Sequence, residues 1–188
     1  MSPSTPERID PSERSRSIVD AARRVAEAEG WSAVTVRRLA AEIGFSQPIL
    51  YRSFPGGRDE IVEQVMIAGF AGMAAELADP AGEADRLSHV VRAYLAFART
   101  HPALYEAMFE TRTRIVFATA ETPAPLREAF GSFLRAVSAE GIDERAAVVR
   151  AELLWSMLHG AARLAASERL DPALDHDRLE AILALFRS

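Results

Sequence analysis

The stretch TVRRLAAEIGFSQPILYRSF, residues Thr35 to Phe54, decides how this chain folds and what it touches. Val36, Leu39, Ala40 and Ile43 recur at helical spacing behind Thr35, whose hydroxyl suits the N-cap of a short helix. Gly44 supplies a turn. Ser46 then caps another short helix, with Gln47 and Pro48 in its first turn, where proline costs no hydrogen bond. Two short helices around a glycine turn make a helix-turn-helix, and the second helix of that motif enters a DNA major groove.

The side chains divide accordingly. Leu39, Ala40, Ile43, Phe45, Ile49, Leu50 and Phe54 pack the two helices, which leaves Ser46, Gln47, Pro48 and Tyr51 outside. Gln47 carries the donor and acceptor that match an adenine edge, and the Pro48 ring offers apolar contact to a thymine methyl. Thr35, Ser46 and Tyr51 suit phosphate oxygens, which position the protein without specifying sequence. Arg37, Arg38, Arg52 and Arg58 add charge near the DNA backbone, and Arg14 and Arg16 extend it as an arm.

Outward from the motif, every long segment has helical periodicity. A first helix is expected over Pro11 to Glu29, with Asp10 as N-cap, Ile18, Ala21, Ala22, Val25 and Ala28 as its apolar stripe, and Gly30 as its end. Pro55 to Gly57 stop the recognition helix, and Asp59 and Glu60 favour the start of a long fourth helix to about Leu77. Asp79 to Gly82 read as a break. Further helices are expected at 84–100, 102–110, 123–139, 143–168 and 175–187, punctuated by Pro102, Pro123, Pro125, Gly141 and Pro172. The fold class is all-α. An N-terminal three-helix DNA-binding domain spans 1–57, with 1–10 as a flexible arm, and is joined to a helical bundle over 58–188.

Composition narrows the class. No apolar run reaches the ~18–20 residues needed to cross a bilayer, and the polar first residues do not form a secretory signal, so a cytoplasmic protein is expected. With no cysteine there is no disulfide framework or thiolate site. Net charge is −5, yet residues 1–58 hold nine arginines against seven acids, while 59–188 hold thirteen against twenty. The basic surplus therefore lies with the motif.

Residues Arg16 through Val65 resemble the TetR family of bacterial transcriptional regulators: an amphipathic helix, then GWSAVTVRRLA, IGFSQPILYRSFP and DEI opening the fourth helix. Arg58 stands where that family commonly has lysine, and Ser53 where it commonly has histidine or tyrosine before the phenylalanine. A second resemblance lies in Trp155 to Gly160, WSMLHG, preceded by HPALYEAMF at His101 to Phe109. It is similar to a subgroup whose ligand domain carries a Trp-x-x-x-His-Gly signature. The resemblance implies a homodimer on a double-stranded operator, a small-molecule effector pocket in each bundle, no cofactor, and an interface of the last two helices. Leu153, Leu154, Leu158, Leu179, Ile182, Leu183 and Phe186 are the expected interface residues; with Met157, Ala161, Ala162 and Leu164 they cover more than one helix face.

The expected pocket residues are Phe70, Tyr94, Phe97, Tyr105, Met108, Phe109, Phe133, Trp155 and His159, drawn from a pool that also holds Met66, Phe117 and Phe130. They point to a largely apolar effector. His159 has the alternative of a hydrogen bond inside the bundle, with Gly160 allowing close helix approach. No histidine falls in a metal-ligand or catalytic spacing, so no metal, catalytic residue or enzymatic activity is expected. The leading function is a repressor released by its effector. The alternatives are an activator or partner-controlled regulator of the same fold, and a helical small-molecule-binding protein or enzyme with a coincidental motif.

Overall fold

A computed structural model describes residues 10–78, 85–110, 115–116, 119–138 and 142–187. Its helices are α1 (Pro11–Glu29), α2 (Val36–Glu42), α3 (Gln47–Ser53), α4 (Arg58–Leu77), α5 (Arg86–Thr100), α6 (Pro102–Glu110), α7 (Ala124–Val137), α8 (Glu144–Ala166) and α9 (Asp175–Phe186), with no strand among the described residues. The chain divides into two compact units, 1–66 and 67–188. The division falls inside α4 and not ahead of it at residue 58, because α4 continues unbroken past the first unit's core.

In the first unit the expected caps explain the helix starts. The Asp10 carboxylate accepts the Ser12 amide at 3.1 Å, with Pro11 in the first turn, and the Gly30 amide closes α1 on the Ala26 carbonyl at 2.8 Å. Thr35 Oγ1 accepts the Arg38 amide at 3.1 Å and starts α2. Ser46 occupies the N-cap of α3, but its hydroxyl makes no capping hydrogen bond. Ile18, Ala21, Ala22, Val25 and Ala26 are buried along α1, against Val36, Leu39, Ala40, Leu50 and Phe54. Ala28 is exposed, so the α1 stripe closes on Ala26, one helical turn beyond Ala22, instead. A 3-10 turn at Trp31–Ala33, not apparent from periodicity, brings the chain from α1 to α2. The expected arm lies outside the described residues except for Asp10, and Arg14 and Arg16 sit within α1.

The second unit is a bundle in which α7 packs on α8, α5 on both, and α9 on α5 and α8. Its centre is apolar: Val90, Val91, Tyr94, Phe97, Leu154, Leu158 and Leu183 are all 0–2% exposed. Burying each such side chain contributes about 1.5–3 kcal/mol. Near α6, a Cβ on Gly69 would lie 2.8 Å from Met108 Sδ and 2.9 Å from Leu104 Cδ1, so any larger residue would make those side chains shift. Phe70 meets Phe109 edge-on at 5.4 Å. Polar ties hold α9: Arg150 donates to the Phe186 carbonyl at 3.0 Å, and Arg187 meets Asp85 at 2.9 Å at the start of α5.

Candidate DNA interface and ligand cavity

On α3, Gln47, Pro48, Tyr51 and Arg52 are all exposed, and Leu50 is buried on the opposite side. Spacings of one, four and five residues put the exposed four on one helix face. Thr35, Arg37 and Ser46 are exposed beside them in sequence, and neither Arg37 nor Arg52 has an ion pair among the described residues. Tyr51 is 50% exposed yet backed: a Cβ on Gly57 would come within 3.1 Å of Tyr51 Cε1. Gly57 has φ +64, so both its backbone and its space require glycine. The turn after α3 thus lies against the edge of a half-exposed tyrosine ring.

Two arginines expected to supply charge for DNA have other work. Arg58 donates through Nε to the Val34 carbonyl at 2.9 Å and through Nη2 to the Trp31 carbonyl at 3.0 Å. It braces the start of α4 to the turn before α2, where the Trp31 carbonyl also accepts the Val34 amide at 3.3 Å. Arg38 is held between Glu29 at 2.9 Å and Glu42 at 2.6 Å, and the Glu29 carboxylate, then Glu42, raises its already high pKa. Its charge is neutralised locally.

In the second unit a cavity of ≈ 530 Å³ opens among α4, α6, α7, α8 and the turn ahead of α7. Phe70 and Met73 come from α4, Phe109 from α6, and Leu126, Ala129, Phe130 and Phe133 from one face of α7. Val148, Glu152 and Trp155 follow one another along α8 at four- and three-residue spacing. Thr119, Ala120, Thr122 and Arg127 complete the lining. Four of the nine expected pocket residues, Phe70, Phe109, Phe133 and Trp155, meet here. Phe130, from the wider pool, joins them, Met66 is buried in the first unit, and Phe117 lies outside the described residues.

The other five sit elsewhere. Tyr94, Phe97, Tyr105 and Met108 are 0–4% exposed in the core, and His159 is half-buried on α8. Phe97 and Met108 pack the apolar core, and for Tyr94, Tyr105 and His159 the reason is hydrogen bonding, since a buried phenol must find partners. Trp155 Nε1 donates to the Tyr94 oxygen at 3.2 Å, Tyr94 and Tyr105 hydroxyls are 2.7 Å apart, and Tyr105 Oη lies 2.7 Å from His159 Nδ1. The indole can only donate, so Tyr94 accepts from it, and either hydroxyl can donate in the pair with Tyr105. Burial pushes the Tyr94 pKa up, so the phenol stays protonated. This chain of polar groups stands behind Trp155, outside the cavity lining. Among the described residues nothing lies within 4 Å of where a Cβ on Gly160 would stand, so no close helix approach is made there.

The interface expectation also changes. Leu154, Leu158, Ile182 and Leu183 are 0–5% exposed within the chain's own bundle and are unavailable to a second copy. Leu179 and Phe186 are half-buried, and Leu153 alone of that set is largely exposed, at 55%. The outward stripe of α8 is Val149, Leu153, Met157 and Leu164, spaced by four, four and seven residues. Sequence reasoning had missed Met73, Leu126, Ala129, Val148, the polar Thr119, Thr122, Arg127 and Glu152, and the outward role of Val149. The 126/129/130/133 and 148/152/155 periods carried that signal, but a period does not say which of two apolar faces meets a void.

Residues 87–185 match the family described as Tetracyclin repressor-like, C-terminal domain, and residues 18–65 match Bacterial regulatory proteins, tetR family. An uncharacterized HTH-type transcriptional regulator from Mycobacterium tuberculosis is 29% identical over 146 residues, 77% of this chain; the match spans 66% of that relative, just under two-thirds. A Rhodococcus sp. RHA1 protein of unknown function superposes with a TM-score of 0.76 at 23% identity, covering 98% of this chain and 97% of that one. A TetR variant from Acinetobacter baumannii, solved in complex with minocycline, gives 0.67 at 17% identity, covering 95% of each chain. These two structural likenesses show the fold. With the C-terminal family covering more than half its length and the N-terminal family covering its helix-turn-helix, the chain belongs to the TetR family of bacterial transcriptional regulators, which are not enzymes.

Proposed function

We propose that the protein is a cytoplasmic, homodimeric repressor of a palindromic operator, released when a small, largely apolar effector enters the aromatic cavity. The observation that carries this reading is the ≈ 530 Å³ cavity, within the ordinary size range of small-molecule sites, with the rings of Phe70, Phe109, Phe130, Phe133 and Trp155 in its wall. A relative of this fold solved with minocycline supports it. Gln47 and Pro48 read bases, while Thr35, Arg37, Ser46, Tyr51 and Arg52 hold phosphates; Arg58 braces the unit behind them. The Trp155-x-x-x-His159-Gly160 run fits the subgroup signature, with Trp155 and His159 linked through Tyr94 and Tyr105.

Dimerisation rests on the exposed stripe Val149, Leu153, Met157 and Leu164 with Leu185, since an apolar helix face of this length is costly to leave in water. Two reading heads in successive major grooves require half-sites roughly 34–36 Å apart. Release requires the effector to favour the non-binding conformer, by about 5.5 kcal/mol for a swing from 1:99 to 99:1.

Fluorescence anisotropy against the DNA upstream of the chain's own gene, with mass determination in solution, tests the reading. Leu153→Asp is expected to give folded monomers that no longer hold the operator. Tyr51→Ala should weaken binding to all sequences, and Gln47→Ala should change base preference. Operator affinity untouched by all three substitutions would refute the proposal.

A further inference from the structure

The polar atoms around the cavity are unequally committed, and the imbalance bears on the effector's charge. Trp155 lines the wall, but its N–H is already donated to the buried Tyr94 hydroxyl at 3.2 Å, so the ring contributes π surface and no open donor. The Thr122 hydroxyl is donated to the Val116 carbonyl at 3.0 Å. Arg127 gives one N–H, on Nη1, to the Ala120 carbonyl at 3.0 Å and keeps its charge. Glu152 differs from all of these. It stands between Val148 and Trp155 on the cavity-facing stripe of α8, and its carboxylate has no ion pair or hydrogen bond among the described residues. Two aromatic pairs converge beside it: Trp155 lies 6.1 Å from Phe109 and 6.5 Å from Phe130 between ring centroids.

One open carboxylate and several π faces favour a positive guest, because ring quadrupoles and a carboxylate attract the same charge, with Arg127 as the opposing charge on the rim. The surrounding bundle is acidic, which raises the local concentration of cations and not of anions. Resting on the reading of this cavity as the effector site, we infer that the effector is a lipophilic organic cation. It is a flat, largely aromatic molecule bearing one amine or quaternary nitrogen, with the rings packed on Phe109, Phe130 and Trp155 and the charge against Glu152. Glu152 is solvent-exposed, so its attraction is screened and adds preference to binding that the rings supply.

Titration calorimetry on the full chain at pH 7.5 tests this with three probes of nearly one shape: 9-aminoacridine as cation, acridine as neutral molecule and anthracene-9-carboxylate as anion. In a Trp31→Phe background Trp155 is the remaining indole, and quenching of its emission reports occupancy of this cavity. The cation is expected to bind about tenfold more tightly than the neutral probe, and the anion most weakly. Glu152→Gln should bring cation and neutral probe within about twofold, while Arg127→Gln keeps the preference for the cation. Equal affinity for cation and neutral probe in the parent protein overturns the inference. So does tightest binding of the anion that Arg127→Gln abolishes; either result leaves the cavity as the effector site. Failure of all three to bind or quench a folded protein overturns the cavity reading itself, and the inference with it.

Discussion

Removing one oxygen from Tyr94 tests whether the buried polar chain behind the cavity is structural. Tyr94→Phe keeps the ring, which meets Phe133 edge-on at 5.5 Å, and deletes only the hydroxyl between Trp155 and Tyr105. Two hydrogen bonds are lost at about 1 kcal/mol each, so unfolding free energy should fall by about 2 kcal/mol at pH 7.5. For a chain of this size that corresponds to a midpoint about 4–8 °C lower. The alkaline limb should run the other way. Because burial holds the native Tyr94 pKa above its ordinary value of 10.0, the tyrosine's contribution is complete below pH 10 and shrinks as pH rises past it. By pH 11 the unfolded state gains about 1.4 kcal/mol from ionising this phenol, which phenylalanine lacks, so the gap narrows to roughly 0.6 kcal/mol. Urea unfolding at fixed protein concentration, followed by circular dichroism at pH 7.5 and pH 11, measures both figures. A loss below about 0.5 kcal/mol at pH 7.5, or a gap that does not shrink at pH 11, would refute the hydrogen-bond assignment.

Gly57→Ala meets both a positive φ and the Tyr51 ring at 3.1 Å, so it should cost about 1–2 kcal/mol of stability and also weaken operator binding. In a Tyr51→Ala background the same change should leave operator affinity where it was, since the glycine acts on DNA only through that ring; anisotropy titrations of the double mutant decide it. Arg58→Lys cannot span two carbonyls with one ammonium and should lower the melting point by about 1 kcal/mol equivalent, without changing the salt slope of DNA binding. A slope reduced by about one would instead make Arg58 a phosphate contact. The Asp85 carboxyl is held below its ordinary pKa by the Ser88 amide first and then by Arg187. Its contribution is therefore present at neutral pH and above the usual carboxylate value, and is lost as pH falls through the lowered native value. Asp85→Asn keeps the cap but loses the Arg187 pairing, so hydrogen exchange of α9 should be faster at pH 7 and less acid-sensitive than in the parent protein.

Helix positions were legible because they depend on local chemistry. Asp10, Thr35 and several prolines start helices, Gly30 and Gly44 end them, and the helices of the described residues begin and end within a few residues of the expected positions. The short 3-10 turns at Trp31–Ala33 and Pro172–Leu174 were not legible, since three residues carry no period. The exposed face of α3 was legible for the same local reason: on a helix as short as α3, one buried face leaves the other outside. The cavity was only half legible. Tyr94, Tyr105 and His159 have the composition of a pocket wall, and what removed them from it is a hydrogen-bond chain that ties α5 and α6 to the distant α8.

The sequence by itself determined the all-α architecture, the helix-turn-helix and the family, because caps, turns and helical period act within a few residues of where they are written. Tertiary structure alone decided the jobs of residues whose type is ambiguous. Leu153 and Leu154 are neighbours of one kind, yet one is 55% exposed and the other wholly buried. Arg58 and Arg52 are both cations near the reading helix, yet one is spent on backbone carbonyls and the other faces out. Glu152 is one acid among many until α7 and α8 set it beside the rings of an open cavity. In each case the deciding quantity is which surfaces long-range packing leaves unfilled, and no local pattern encodes that.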